Sequence, residues 1–312
     1  MLSLTESPLR CQLEKASRQT GTAPCTSLGR TEFQKHATSK RPRLALPLTT
    51  AASLFANASW LCQYSQRNTP GEDQVKQYGL VLFDIDGTLT RTQNGFIPFN
   101  EAFLMTFGFP GDIRTVIPDG NTDPLIVDEI FAKAGQKPGG GEAWEQTFAI
   151  NLRDSYARAI RDGKTTVSAL PGALDLVQAL GSFPGVYPGI VTGNFEATAR
   201  IKLEAAGLGA YFRLGAYGSD ARERTDLLQI AKKRWDASAG EPFAPERCIV
   251  VGDTPKDLDA ARGKRMKCVL VGTGRYAVDV LLSCGPDACL PDFKNTAATV
   301  ETLLGLLESA AH

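Results

Sequence analysis

The chain has 312 residues, with 34 basic and 34 acidic side chains but only two histidines, His36 and His312. That scarcity excludes Ser-His and Cys-His machinery and a His-ligated zinc site, and the seven cysteines contain no Cys-x-x-Cys pair to replace it. The zero net charge is a cancellation: residues 1–70 carry nine Lys plus Arg against three Glu, and the remainder 25 against 31, so the acidic body predicts no nucleic-acid partner.

Residues 1–70 hold seventeen Ser plus Thr and no Asp, with no periodicity to bury. They read as a transit peptide, with Ala56-Asn-Ala58 as a cleavage or sorting point. An untargeted extension, disordered or upstream of the true start, is the equal alternative. The moderately apolar stretch that follows Arg41-Pro-Arg-Leu-Ala-Leu-Pro-Leu48 is too short and too polar for a membrane span, so no membrane is expected. A plastid is favoured over a mitochondrion if the leader targets, and the cytoplasm otherwise.

Tyr78 to Phe83 is an apolar run that predicts a buried strand. Helices are expected over Asn100–Phe107 and Leu125–Ala134, and, after Gly139-Gly-Gly141, over Glu142 to Arg161. Leu170-Pro-Gly172 opens a helix through Leu180, leading to a strand over Tyr187–Val191 and a helix over Glu196–Ala206. A strand over Phe212–Ala216 precedes a helix through Leu227, Leu228, Ala231 and Trp235. Strands at Arg247–Val251 and Cys268–Val271 and a helix over Thr296–Leu307 complete the pattern. Cys248 and Cys268 lie within apolar strands, which predicts a reduced protein. Alternating strands and helices predict an α/β fold with a doubly wound parallel sheet, and such sheets bind ligands along their strand ends.

Asp84 and Asp86 follow the first strand directly. Two neighbouring carboxylates push their titrations apart, which suits one as nucleophile and the other as proton carrier. In phosphoryl transfer Asp84 would attack phosphorus while Asp86 handles the leaving-group proton and then the water proton. Gly87 permits a sharp turn, and the Thr88 hydroxyl can donate to a carboxylate or phosphoryl oxygen.

Asp84-Ile-Asp86-Gly-Thr88-Leu-Thr90 after an apolar strand resembles the first motif of the haloacid dehalogenase superfamily. Thr192-Gly193-Asn194 resembles its second motif, implying that the Thr192 hydroxyl holds the transferring phosphoryl group with Gly193 and Asn194 beside it. Gly252-Asp253-Thr-Pro-Lys-Asp257 resembles the fourth, in which acids complete a magnesium site with the first motif. The implied metal set is Asp84, Asp86, Asp253 and Asp257, an oxygen-only group suited to Mg2+; Asp257 reads equally as an orienting residue or a helix-start acid. The third motif departs from the commonest pattern, because Gly218 to Leu227 contains no Lys. Arg224 is the expected replacement and Arg222 its rival.

About a hundred residues separate the first two motifs, more than one crossover needs. The resemblance implies an α-helical cap inserted there, like that of phosphoglycolate phosphatases and β-phosphoglucomutases. The expected organisation is leader 1–72, core 73–91 and 166–312, and cap 92–165. Gly120-Asn-Thr122-Asp123 resembles a Gly-x-Thr-Asp element of phosphoglycolate phosphatase-like caps, implying that Thr122 and Asp123 bind substrate; the same residues also read as a helix cap before Leu125.

The expected activity is a Mg2+-dependent phosphatase of a small phosphorylated metabolite, with phosphoglycolate as the suggested substrate and an aspartyl-phosphate on Asp84. A dehalogenase has no use for the acid at position 86. A phosphomutase of the β-phosphoglucomutase kind shares both acids and is not separated by sequence, and a non-catalytic phospho-ligand scaffold is kept open by the missing Lys. Oligomeric state is not legible.

Overall fold

The computed structural model describes residues 79–139, 143–240 and 242–309. The leader readings, Tyr78, and the junction at 140–142 lie outside the described residues.

Strand β1 (Gly79–Phe83) is buried along its whole length. It lies between β4 (Val186–Val191) and β6 (Cys248–Gly252), parallel to both. With β5 (Gly215–Ala216), β7 (Lys267–Val271) and β8 (Ala288–Leu290) they form a six-stranded sheet in the order β5-β4-β1-β6-β7-β8, every pairing parallel. The chain builds outward from β1 on one side, then returns to build on the other. Such a reversal opens a crevice at the strand ends.

Alternation along β1 explains the two covering layers, since successive side chains point to opposite faces. Val81 and Phe83 join a cluster with Leu176, Leu203 and Leu303 from α4 (Ala173–Gly181), α5 (Glu196–Ala205) and α9 (Thr296–Glu308). Leu80 and Leu82 join the opposite cluster with Leu227, Leu258 and Leu281 from α6 (Arg224–Ala239), α7 (Pro255–Gly263) and α8 (Val278–Ser283). The doubly wound parallel sheet is therefore as expected.

Between β1 and α4 the chain makes an antiparallel ribbon, β2 (Thr90–Gln93) with β3 (Thr166–Ala169), and between those two strands the described residues form the helices α1 (Phe96–Phe107), α2 (Asp123–Lys133) and α3 (Ala143–Arg161). The helices have their own aromatic cluster: Phe103 lies 5.3 Å from Phe131, Phe99 5.3 Å from Phe148, and core Phe195 inserts 6.1 Å from Phe148. Helix α1 starts four residues before the expected Asn100, because Pro98 falls in the first turn, where its missing N–H has no helical partner to lose. The ribbon was not anticipated; its four-residue strands are too short and polar to show alternation. Strand β5 is shorter than expected because Phe212 closes a 3-10 turn, Gly209–Tyr211, and buries in the core. Short α8 and β8 span too little chain to show a period. Among the described residues no helix is long and apolar enough to cross a membrane.

Candidate active site

Asp84 caps the end of β1, its N–H donating to Val251 O at 2.9 Å. The following turn closes through Leu89 N to Ile85 O and Gly87 N to Thr90 O, both 2.9 Å. Gly87 has φ +79°, and a Cβ there would stand 2.3 Å from Asp253 Oδ2, so this turn requires glycine on both counts. The close approach brings the first and fourth motifs together. The Thr88 hydroxyl donates to Asp253 Oδ1 at 3.1 Å, which is the carboxylate option of its two expected partners.

Asp84, Asp253 and Asp257 are all buried, and each offers one oxygen within 4.8 Å of the others. Burial pushes Asp84 up to about 6 although Arg224 opposes it. Burial pushes Asp253 up to about 8, with the Asp84 and Asp257 charges adding to the effect. This shortage of positive charge around hard oxygen donors is what a divalent cation would relieve. Asp257 is already engaged: it forms a capping box with Thr254, whose hydroxyl donates to Asp257 Oδ2 at 2.7 Å, and its Oδ1 pairs with Arg224. It is thus both the helix-start acid and an orienting residue, leaving Asp84 and Asp253 as the oxygens facing the cleft.

The Asp86 carboxylate, expected in the metal set, lies outside that cluster. Its Oδ1 accepts from Thr92 Oγ1 at 3.2 Å, and its Oδ2 from Asn194 Nδ2 at 2.8 Å and Lys202 Nζ at 2.6 Å. Burial works against ionisation, but the Lys202 ammonium and these hydrogen bonds hold Asp86 below the usual carboxylate range. An ammonium ion already neutralises this acid.

Arg224, the first residue of α6, is buried with Nη2 3.2 Å from Asp84 Oδ2 and in contact with Asp257. The neighbouring carboxylates overcome its burial and raise its proton affinity further. Arg222 turns the other way, bridging Asp128 on α2 and, at 2.5 Å, Glu145 on α3. Geometry therefore puts Arg224, not Arg222, beside Asp84.

Thr192 directly follows β4, with its hydroxyl accepting from Asn194 N at 3.3 Å and Asn194 Nδ2 at 2.8 Å, and it lines the same cleft as Asp84 and Asp86. Accepting twice leaves its own O–H to donate toward the cleft. Gly193 contacts the helical insertion so closely that a Cβ would lie 2.0 Å from Asn121 O. Gly193→Ala is expected to cost about 1–3 kcal/mol of stability, as overpacking does; a denaturant midpoint unchanged from wild type would contradict this contact.

Thr122 and Asp123, expected at the substrate, tie the helical insertion to the core. Thr122 Oγ1 donates to Arg222 O at 2.8 Å rather than capping its helix. The Asp123 carboxylate accepts from Phe195 N at 2.8 Å, and its own N–H donates to Gly193 O at 2.8 Å. Asp123 still lines the cleft, and burial pushes it up to about 6.

The cleft has a volume of ≈ 540 Å³, with the acids on its floor and Phe99, Ile126 and Tyr156 from the helical insertion on its roof. Sequence reasoning missed Lys202 and Tyr156. The available signal was a lysine among Thr198, Ala199 and Leu203 on the inner face of α5.

Residues 78–263 match the family model of the haloacid dehalogenase-like hydrolases. The chain is 28% identical over 233 residues to the tyrosine-protein kinase PtkA of Mycobacterium tuberculosis, covering 75% of this chain and 74% of that protein. It is 28% identical over 204 residues to phosphoglycolate phosphatase 1 of Pseudomonas aeruginosa, covering 62% of this chain and 70% of that protein. The crystal structure of a hydrolase from Pseudomonas syringae shares the fold with a TM-score of 0.52 at 22% identity, covering 72% of this chain and 98% of that one. Matched over more than half its length, with the motif residues gathered at one sheet edge, the chain is an enzyme of the haloacid dehalogenase-like hydrolase family.

Proposed function

We propose that this enzyme is a magnesium-dependent phosphatase that hydrolyses a small phosphate monoester, with phosphoglycolate as substrate. The observation that carries the reading is Asp84 at 3.2 Å from buried Arg224, next to Asp253 and on the floor of the cleft that Thr192 and Asp86 also line. Arg224 aligns Asp84, whose carboxylate oxygen attacks phosphorus as the bond to the leaving oxygen breaks. Thr192 and Arg224 donate to the phosphoryl oxygens. Arrival of a phosphoryl dianion beside Asp86 favours a proton there, and Asp86 passes it to the leaving oxygen. Asp86, again a carboxylate, then takes a proton from the water that cleaves the aspartyl-phosphate. Held by Asp84 and Asp253, Mg2+ would supply charge neutralisation at the phosphoryl oxygens. The likeness to phosphoglycolate phosphatase 1 supports the substrate.

Phosphate release from p-nitrophenyl phosphate, phosphoglycolate and a panel of sugar phosphates tests this. Release is expected to require Mg2+ and to stop on chelation; a protein that hydrolyses none of them in Mg2+ sinks the reading. Conversion of β-glucose 1-phosphate to glucose 6-phosphate without net phosphate release would replace it with the mutase. The likeness to PtkA favours a second reading, transfer from ATP to tyrosine, for which labelled ATP and a tyrosine-containing peptide are the test.

The crowded acids also make a pH prediction for the metal-free protein. Asp84 and Asp253, at about 6 and about 8 folded against roughly 3.9 unfolded, hold protons that the unfolded chain has released. Stability therefore falls as pH rises from roughly 4 to 8. Deprotonated carboxylates bind the cation better, so the rise in Tm on adding Mg2+ is expected to be larger at pH 8 than at pH 5.5. Equal shifts at both pH values in thermal melts would count against Asp84 and Asp253 as ligands.

A further inference from the structure

Lys202 is 5% exposed on the inner face of α5, where an ammonium loses most of its hydration. Such burial costs several kcal/mol unless its protons find acceptors. They do: Nζ donates to Asp86 Oδ2 at 2.6 Å and Asn194 Oδ1 at 2.7 Å, and the ammonium lies 5.1 Å from the centre of the Tyr156 ring on α3. An ammonium has three donors. Two are spent on the site's own side chains and the remaining side is covered by an aromatic face, so little of Lys202 is left to bind an incoming phosphate. What it holds is informative. Asn194 Nδ2 continues the chain of contacts to Asp86 Oδ2 and Thr192 Oγ1, each at 2.8 Å, so one cation anchors side chains from the first and second motifs together. With Thr92 on the other oxygen, the Asp86 carboxylate is fixed in rotation.

We propose that Lys202 is a positioning residue: it fixes the Asp86 carboxylate and the Asn194 amide in the orientation the reaction uses, without itself touching substrate. The inference rests on the phosphatase reading, because that reading gives Asp86 its proton-transfer role. Misplacement of a reacting group by about 1 Å can cost about 100-fold in rate.

The test is a double-mutant cycle in the full chain with Mg2+ and p-nitrophenyl phosphate, comparing wild type, K202M, D86N and D86N/K202M. K202M is expected to lower kcat about 100-fold while KM stays within about threefold. D86N/K202M is expected to turn over within about threefold of D86N alone, since a residue acting through Asp86 has nothing left to position once Asp86 is impaired. K202Q, which keeps a donor without the charge, is expected to recover at least about tenfold of the K202M loss. A raised KM at unchanged kcat would make Lys202 a substrate ligand, and losses that multiply in the double variant would place its action elsewhere; either overturns the assignment. Should K202M fail to fold with Asp86 left uncompensated, the cycle runs with K202Q against D86N and D86N/K202Q, and the same non-additivity decides. An inactive wild type overturns the phosphatase reading itself, whereas an active wild type with K202M at full kcat sinks only the role of Lys202.

Discussion

Asp84→Asn is expected to lower kcat for phosphate release by roughly 10⁴- to 10⁶-fold, the range seen when a covalent nucleophile is removed. Asparagine nearly preserves the shape at the end of β1 but offers no carboxylate oxygen to attack phosphorus. The protein should remain folded. Asp84 shares one guanidinium with Asp257 and crowds Asp253, so neutralising it relieves repulsion rather than stranding a charge. A Tm no lower than wild type, measured alongside the lost turnover, separates chemistry from misfolding. Undiminished turnover would refute Asp84 as nucleophile.

Arg224→Ala should damage both activity and stability. Removing one preorganised donor to a developing oxyanion costs about 10²- to 10³-fold in kcat. Breaking a buried pair by deleting one partner costs about 3–5 kcal/mol, because the carboxylates left behind lose their compensation. Here Asp84 and Asp257 both lose it, and Asp253 loses a nearby positive charge. Arg222→Ala removes a bridge to Asp128 and Glu145 on the helical insertion, so its effect should fall mainly on KM and stay within roughly tenfold. Steady-state kinetics on both variants decide the matter: a larger kcat loss for Arg222→Ala would reassign the cation of the third motif.

The helical insertion shows where legibility stopped. Its helices are visible as periodic apolar segments, but the role of Thr122 and Asp123 is not, since Asn-Thr-Asp-Pro fits a substrate element and a helix cap equally well. The structure gives them a third role, fastening the insertion to Phe195, Gly193 and Arg222. Those partners lie 70 or more positions away in sequence, and no local pattern encodes such a contact.

The core behaves differently. Strand–acid junctions at Asp84 and Asp253 are local features: an apolar run long enough for a strand, then a carboxylate directly after its last residue. Parallel pairing must align such junctions at one sheet edge, so fold class, the family's motif set and the site's location were determined by the sequence alone. Which charge meets which was decided only by tertiary structure. Arg222 and Arg224 are near-identical in sequence terms, yet one faces Asp84 and the other Glu145, because Arg222 lies in the loop before α6 and Arg224 on its first turn. Asp86 belongs to Lys202 rather than to the acid cluster because α5 packs its inner face beneath the β1 turn, bringing together residues 116 positions apart. Electrostatic energies depend steeply on separation and burial, and both are properties of the folded chain.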